Sequence, residues 1–448
     1  MLKEAANAST IYINKKIAIS QQQKKRKTHQ ACHGKNRGEM NAETSYSPPA
    51  SKVLGNDDLL GEILHRVDSP TTLVRAAAVA KRWLRVASGR VFLRRYRARH
   101  PPRLLGFFVT GDWMPRPEFV PMNAELTSAA VRRAAGSVFD TFPEYWSCVW
   151  DSRNGRVLLE FRDHVQRLFV RDVLQDPEGA MAELPPRPPA LDDRFHAALL
   201  PDADEEDDDA ACYLVNVHED EGRSVSAEVT VLRRSGAWSL LCSAKAELAA
   251  PPGRIPMVTL LAGGKVYNVT EAGYIVCVDL ATARLSAVDL PDGAAYDHER
   301  FGNLVPCRGD DSVLYLFHVE GDKLSVWLRW MDDDDGNQQV AGGWVLRDTV
   351  SVKETCGDLI ELEQGSYLSK VDVVGVGDNA EFAFLELGVG DCDTYFVVYL
   401  HLGSRKAEMV YQRQRDQGNH DIIQVFPFTT AWPPVFPALA SDEGDKHL

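Results

Sequence analysis

The chain has 448 residues, 44% of them hydrophobic and 25% charged, with a formal net charge of -14. That length allows two or three domains with sizeable cores, and no apolar run approaches the ~18 residues that a membrane helix needs. The opening MLKEAANASTIYINKKIAIS lacks the apolar stretch of a signal peptide, so the expectation is a globular protein of the cytoplasm or nucleus without a membrane partner.

The charge is split. Residues 1–50 carry 9 Lys+Arg against 3 Asp+Glu and residues 51–100 carry 11 against 4, leaving 30 and 57 for the remainder, a net of -27. A basic head precedes an acidic body. Eight cysteines (Cys32, Cys148, Cys212, Cys242, Cys277, Cys307, Cys356, Cys392) lie far apart, with no C-x-x-C pair and no metal-ligand spacing, and are expected to be reduced.

Residues 1–50 are polar and Lys- and Gln-rich, a leader too poor in apolar residues to order itself. Within it QQQKKRKTHQ (21–30) reads either as a basic import signal or as a solvated tail, and Met40 offers a second start. Residues 51–100 turn helical. Asn56 or Asp57 can cap a first helix whose apolar residues are Leu59, Leu60, Ile63, Leu64 and Val67. Asp68-Ser69-Pro70-Thr71 ends it, because proline suits the first turn of the next helix. A second helix runs through Leu73, Val74, Ala76, Ala77 and Val79, and a third is expected from Lys81 through Trp83 and Leu84, with Val91, Phe92 and Leu93 behind it.

Beyond Pro102 helical periodicity nearly vanishes. Segments such as 157–173, 212–241, 263–291, 311–330 and 380–411 share one plan, strand, polar turn, strand, and their starts recur at roughly 45 to 70 residues, as four-stranded propeller blades would. The fold class expected is therefore α+β and multidomain: a small three-helix unit, then an all-β propeller-like domain over 103–440 with about six blades, and a disordered tail at 441–448. A two-sheet sandwich is the alternative; the ring is preferred because it leaves few open edges. RLLGFFV (103–109) is a candidate to close that ring against a late strand. Two acidic runs, 202–210 and 331–339, read as solvated turns.

The helical stretch resembles an F-box. The family pattern is met by Leu54, Asp57, Leu59, Leu60, Glu62, Ile63, Leu64, Arg66 and Val67. It continues through Pro70, Leu73, Val74, Arg75, Val79, Lys81, Arg82, Trp83, Leu84 and Phe92. Gly55, Asp68 and Ala80 depart from it. The remainder is similar to the propeller-like C-terminal domain of many plant F-box proteins, on DSRNGRVLLE (151–160) and VFPFTTAWPPVFPAL (425–439). The resemblance implies a non-catalytic substrate receptor of an SCF-type cullin–RING ubiquitin ligase. Its F-box would dock on the Skp-type adaptor, and through it on cullin, while the β domain holds an unidentified target protein. It requires no cofactor.

The residues agree with such docking. Three short helices cannot bury all of Leu54, Leu59, Leu60, Ile63, Leu64, Val67, Pro70, Leu73, Val79 and Trp83 among themselves, so some face a partner, with Lys81 beside them and Trp83 as the expected anchor. Burying a Leu or Ile is worth ~1.5–3 kcal/mol. Five or six such contacts, less an association cost of ~4–15 kcal/mol, support submicromolar binding.

Other chemistry finds less support. FLRRYRARHPPR (92–103) alternates Arg with aromatics, but Arg94, Arg95, Arg97 and Arg99 are expected on the solvated side of a helix or against an acidic adaptor, not on nucleic acid. GVGDNA (375–380) mimics a dinucleotide fingerprint, yet period-two alternation follows it, so it reads as a hairpin turn. Asp333, Asp335 and Gly336 imitate a calcium loop whose first position is Met331 and twelfth is Gly342. The competing functional readings are a propeller hydrolase with a carboxylate dyad and an F-box scaffold that delivers no target.

Overall fold

The computed structural model describes residues 56–434 and 436, apart from 112–113, 123–126, 142–144, 163–165, 187–196, 202–208, 220–222, 253–258, 298–299, 301, 311–312, 332–342, 361–366, 391–393 and 415–422. The basic leader, Leu54, nearly all of the two acidic runs including Asp333, Asp335 and Gly336, and the tail at 441–448 lie outside the described residues. The chain divides into two compact units, residues 1–60 and 61–448. Of the first, residues 56–60 are described: the Asn56 side chain accepts from the N–H groups of Asp58 (2.9 Å) and Leu59 (3.2 Å) and caps the start of helix α1 (Asp57–Leu64).

The second unit continues with α2 (Pro70–Ala77), α3 (Lys81–Ala87) and α4 (Arg90–Arg99). Ser69 caps α2 by accepting from Thr72 N–H, and Pro70 takes the first turn, where its missing N–H costs nothing. Among the described residues the head thus has four helices where the sequence suggests three. The third stretch breaks at Ser88–Gly89: the Ser88 hydroxyl bonds back to the Leu84 carbonyl at 2.8 Å, and Gly89 is extended as the N-cap of α4. Aromatic rings hold α4 to its surroundings. His65 lies 4.5 Å from Phe92, Phe92 lies 5.9 Å from Tyr96, and the Tyr96 hydroxyl donates to the Val67 carbonyl at 3.0 Å.

From Leu104 the chain builds a six-bladed β-propeller. Five sheets have four strands each: β3 to β6 (Trp146–Glu183), β7 to β10 (Ala197–Glu247), β11 to β14 (Thr259–Asp289), β15 to β18 (Leu304–Ser351) and β19 to β22 (Leu368–Gln414). The sixth pairs β1 (Leu104–Gly111) between β2 (Glu118–Pro121) and β23 (Ile423–Thr429), with Phe108 opposite Phe426 and Val109 opposite Val425. The expected closure by 103–109 is therefore what seals the ring. Helix α5 (Ala129–Gly136), capped by Ser128, packs beside β2 where other blades carry a fourth strand. A shorter helix, α6 (Val352–Cys356), follows β18. Both correct the expectation of a helix-free body.

Strand periodicity explains the packing. Side chains alternate between the two faces of a blade, so each blade feeds the apolar layers on both sides. In β4, Val157, Leu159 and Phe161 join the layer shared with the sixth sheet, while Leu158 joins the one shared with the next blade. In β1, Phe107 and Val109 face the fifth blade and Phe108 faces the first. Six such layers fill the six junctions. At the first turn Gly155 has φ +78 and an added Cβ would lie 2.4 Å from Leu174 Cδ1, so that position needs glycine.

Candidate functional site

Antiparallel pairing sorts the connections onto two faces of the ring. Turns between the first and second strands of a blade, such as Asn154–Gly155 and Gly377–Glu381, open on one face; turns between second and third strands open on the other, with the links between blades. β23 ends and β1 begins on the first face, where Thr430 N–H donates to the Arg103 carbonyl. Helix α4 leads directly into β1, so it meets the ring on that face.

Two side chains of α4 make the contact. Tyr96 stacks on Trp432, with centroids 6.3 Å apart and planes 6° from parallel. Arg97, only 8% exposed, ion-pairs with Asp378 and with Asp310, both at 3.2 Å, and lies over the Trp432 ring. Arg308 reaches Asp378 from β15 at 2.7 Å. Burial pushes the Asp378 carboxyl up, but Arg308 and Arg97 outweigh this and hold it well below the usual carboxylate range. Glu381, on the same turn, is pushed up to about 7 by burial, against the pull of Arg97. Beneath these groups lies a cavity of about 150 Å³ that Arg97, Arg153, Arg308, Asp151, Asp378 and Glu381 help to line. Cys307 also borders it, donating to the Gly377 carbonyl at 3.1 Å; burial raises its thiol, so it is no thiolate nucleophile.

Arg97 corrects the expectation of a solvated or adaptor-facing arginine row: Arg94, Arg95 and Arg99 are exposed, but Arg97 is not. Its role was hidden because Asp378 and Asp310 are about 280 and 210 positions away in sequence, beyond any local pattern.

The expected adaptor contacts divide by burial. Leu59 (45%), Ile63 (41%) and Val79 (71%) are exposed, as is Lys81; Val67, Pro70 and Trp83 are half-buried. Leu60, Leu64 and Leu73 are fully buried and present no side chain to a partner. Val91, outside the expected set, is 65% exposed.

The ring and its sequence match one family model, "F-box protein AT5G49610-like, beta-propeller", over residues 148–436. The chain belongs to that family. The match begins in the first strand of the first blade and runs past β23, so it covers the five four-stranded blades and the closing strand and leaves α1 to α4, β1, β2 and α5 outside. No curated protein matches the chain. Among solved structures, the chain is similar to the Nup133 β-propeller domain of Vanderwaltozyma polyspora (8% identity, 61% of this chain and 69% of that one, TM-score 0.31). It is also similar to an oligogalacturonate lyase in complex with manganese (10%, 70% and 74%, TM-score 0.32) and to the WD40 domain of SCAP from fission yeast (9%, 58% and 74%, TM-score 0.24).

Proposed function

We propose that this protein is the target-holding subunit of an SCF-type cullin–RING ubiquitin ligase, working in the cytoplasm or nucleus without chemistry of its own. The observation that carries the reading is the family match of the propeller to those of F-box proteins, preceded in the same chain by helices that keep large apolar side chains in water. Helices α1 to α4 form the docking module for a Skp-type adaptor, and the propeller presents a target to the ligase by raising its local concentration. Because α4 occupies the face where first and second strands meet, the target is held on the opposite rim.

The test uses the exposed residues. Ile63→Asp with Val79→Asp places two charges where apolar surface would be desolvated, which forfeits ~1.5–3 kcal/mol of burial at each and adds an unpaired charge. Capture of purified Skp-type adaptor by the full chain should fall by at least about a hundredfold while the melting transition stays in place. Undiminished capture by the double variant sinks the docking assignment.

A further inference from the structure

Docking and target holding make no use of the two histidines packed on α4. His65 directly follows α1, and its ring centroid lies 4.5 Å from that of Phe92 and 6.3 Å from that of Tyr96. His100, the C-cap of α4, lies 4.4 Å from the same Tyr96. Tyr96 is fully buried, donates its hydroxyl to the Val67 carbonyl and stacks on Trp432. One tyrosine therefore ties the α1–α2 connection and α4 to the chain that leaves β23.

The imidazole nitrogens decide what this arrangement tolerates. His65 Nε2 is buried and, among the described residues, has no hydrogen-bond partner; His100 Nε2 is in the same position. A neutral imidazole can leave Nε2 bare, because its one hydrogen can sit on Nδ1. The imidazolium cannot: both nitrogens then carry hydrogen, and a charged N–H is shut away without an acceptor. Neighbouring charge adds to the cost. Glu62 of α1 favours a cation at His65, but Arg95 and Arg99 of α4 and His100 at its end oppose one. Tyr96, its hydroxyl pushed up to about 12 by burial, offers no counter-charge. Burial, the largest cause, together with Arg95, Arg99 and His100, holds His65 below the usual 6.5 against the pull of Glu62.

We infer that His65 is a proton switch in the helical head: neutral, it packs on Phe92 and Tyr96 and keeps the end of α1 joined to α4; protonated, it leaves that site and loosens the joint. An opened His65 takes up its proton at higher pH than a packed one. The joint is therefore complete above 6.5, weakens as pH falls from there to the lower midpoint of the packed ring, and levels off below it. The switch is read in the chain alone, so it stands or falls apart from the ligase reading.

Imidazole resonances of the histidine-labelled full chain give the midpoint of His65, identified as the signal missing from His65→Gln. It should lie below 6.5, and Arg95→Gln, at an exposed position, should raise it. Hydrogen exchange read by mass spectrometry, corrected for the intrinsic pH dependence of exchange, compares residues 61–67 and 90–99 with the third blade. Protection of the two head segments should fall below pH 6.5 by up to about tenfold per unit, while the blade keeps its own. Glutamine has no proton to titrate, so His65→Gln should hold head protection constant over this interval. The inference is overturned by a His65 midpoint at or above 6.5, or by the same acid loss in a folded His65→Gln protein. If that variant no longer melts cooperatively, Arg95→Gln decides: a histidine signal that starts below 6.5 and is raised by the substitution supports the switch, and the absence of such a signal overturns it.

Discussion

Arg97 joins helix to ring through groups that titrate in opposite senses. Removing one partner of a buried ion pair costs ~3–5 kcal/mol, but Asp378 and Asp310 are each about two-fifths in water, which brings the expectation for Arg97→Ala to about 2 kcal/mol. A denaturant titration of the full chain reads it. For Asp378, whose folded pKa is depressed, the stabilisation is complete above its ordinary 3.8 and is lost as pH falls below it. For Glu381, raised from 4.5 to about 7, the folded chain keeps a proton that the unfolded chain releases, so stability declines as pH rises through that interval and levels off above it. Thermal melts across this range should show the decline in the wild type, and Glu381→Gln should remove it. An identical slope in the variant means that other groups set the pH dependence. None of this was legible beforehand: Glu381 is one carboxylate among many, and only burial beside Arg97 and Asp378 singles it out.

At the scale of elements, the helices separate apolar residues that share one periodic stripe. Ile63 and Leu64 are neighbours in α1, but one is 41% exposed and the other 1%. Leu64→Ala should therefore cost ~2–5 kcal/mol through lost burial and a cavity, whereas Ile63→Ala should stay within about 0.5 kcal/mol. Comparable losses from the two in urea unfolding contradict the burial assigned here. The strands were readable from short apolar runs parted by polar turns, and the turn at 377–381 from the strand-like sequence EFAFLELG that follows, although Phe382–Gly388 is buried on both faces. Helix α5 escaped notice: AAVRRAAG has a capping Ser128 but mostly small side chains, so its apolar stripe barely registers. The break at Ser88–Gly89 was missed for a similar reason, since the apolar spacing continues across it.

At the scale of the molecule, closure makes the blades interdependent. β23 comes from the end of the ring and β1 from its start, and Phe428 and Val425 enter the layers on either side of the sixth blade. A chain ended after Gln414 loses the innermost strand of that blade and opens both layers, so it should lose its cooperative melt and near-UV circular dichroism signal instead of surrendering one blade's worth of stability. Retention of a sharp transition contradicts closure as the source of cooperativity. By itself the sequence determined the helical head, the ring of short strands, the closing pair and the division of charge, because each is written in local periodicity or composition. Only the tertiary structure decided which leucines lie inside and which outside, which face of the ring α4 covers, and that Arg97, Asp310 and Asp378 meet. Those outcomes depend on residues brought together from opposite ends of the chain, and no spacing along the sequence records the distance that folding closes between them.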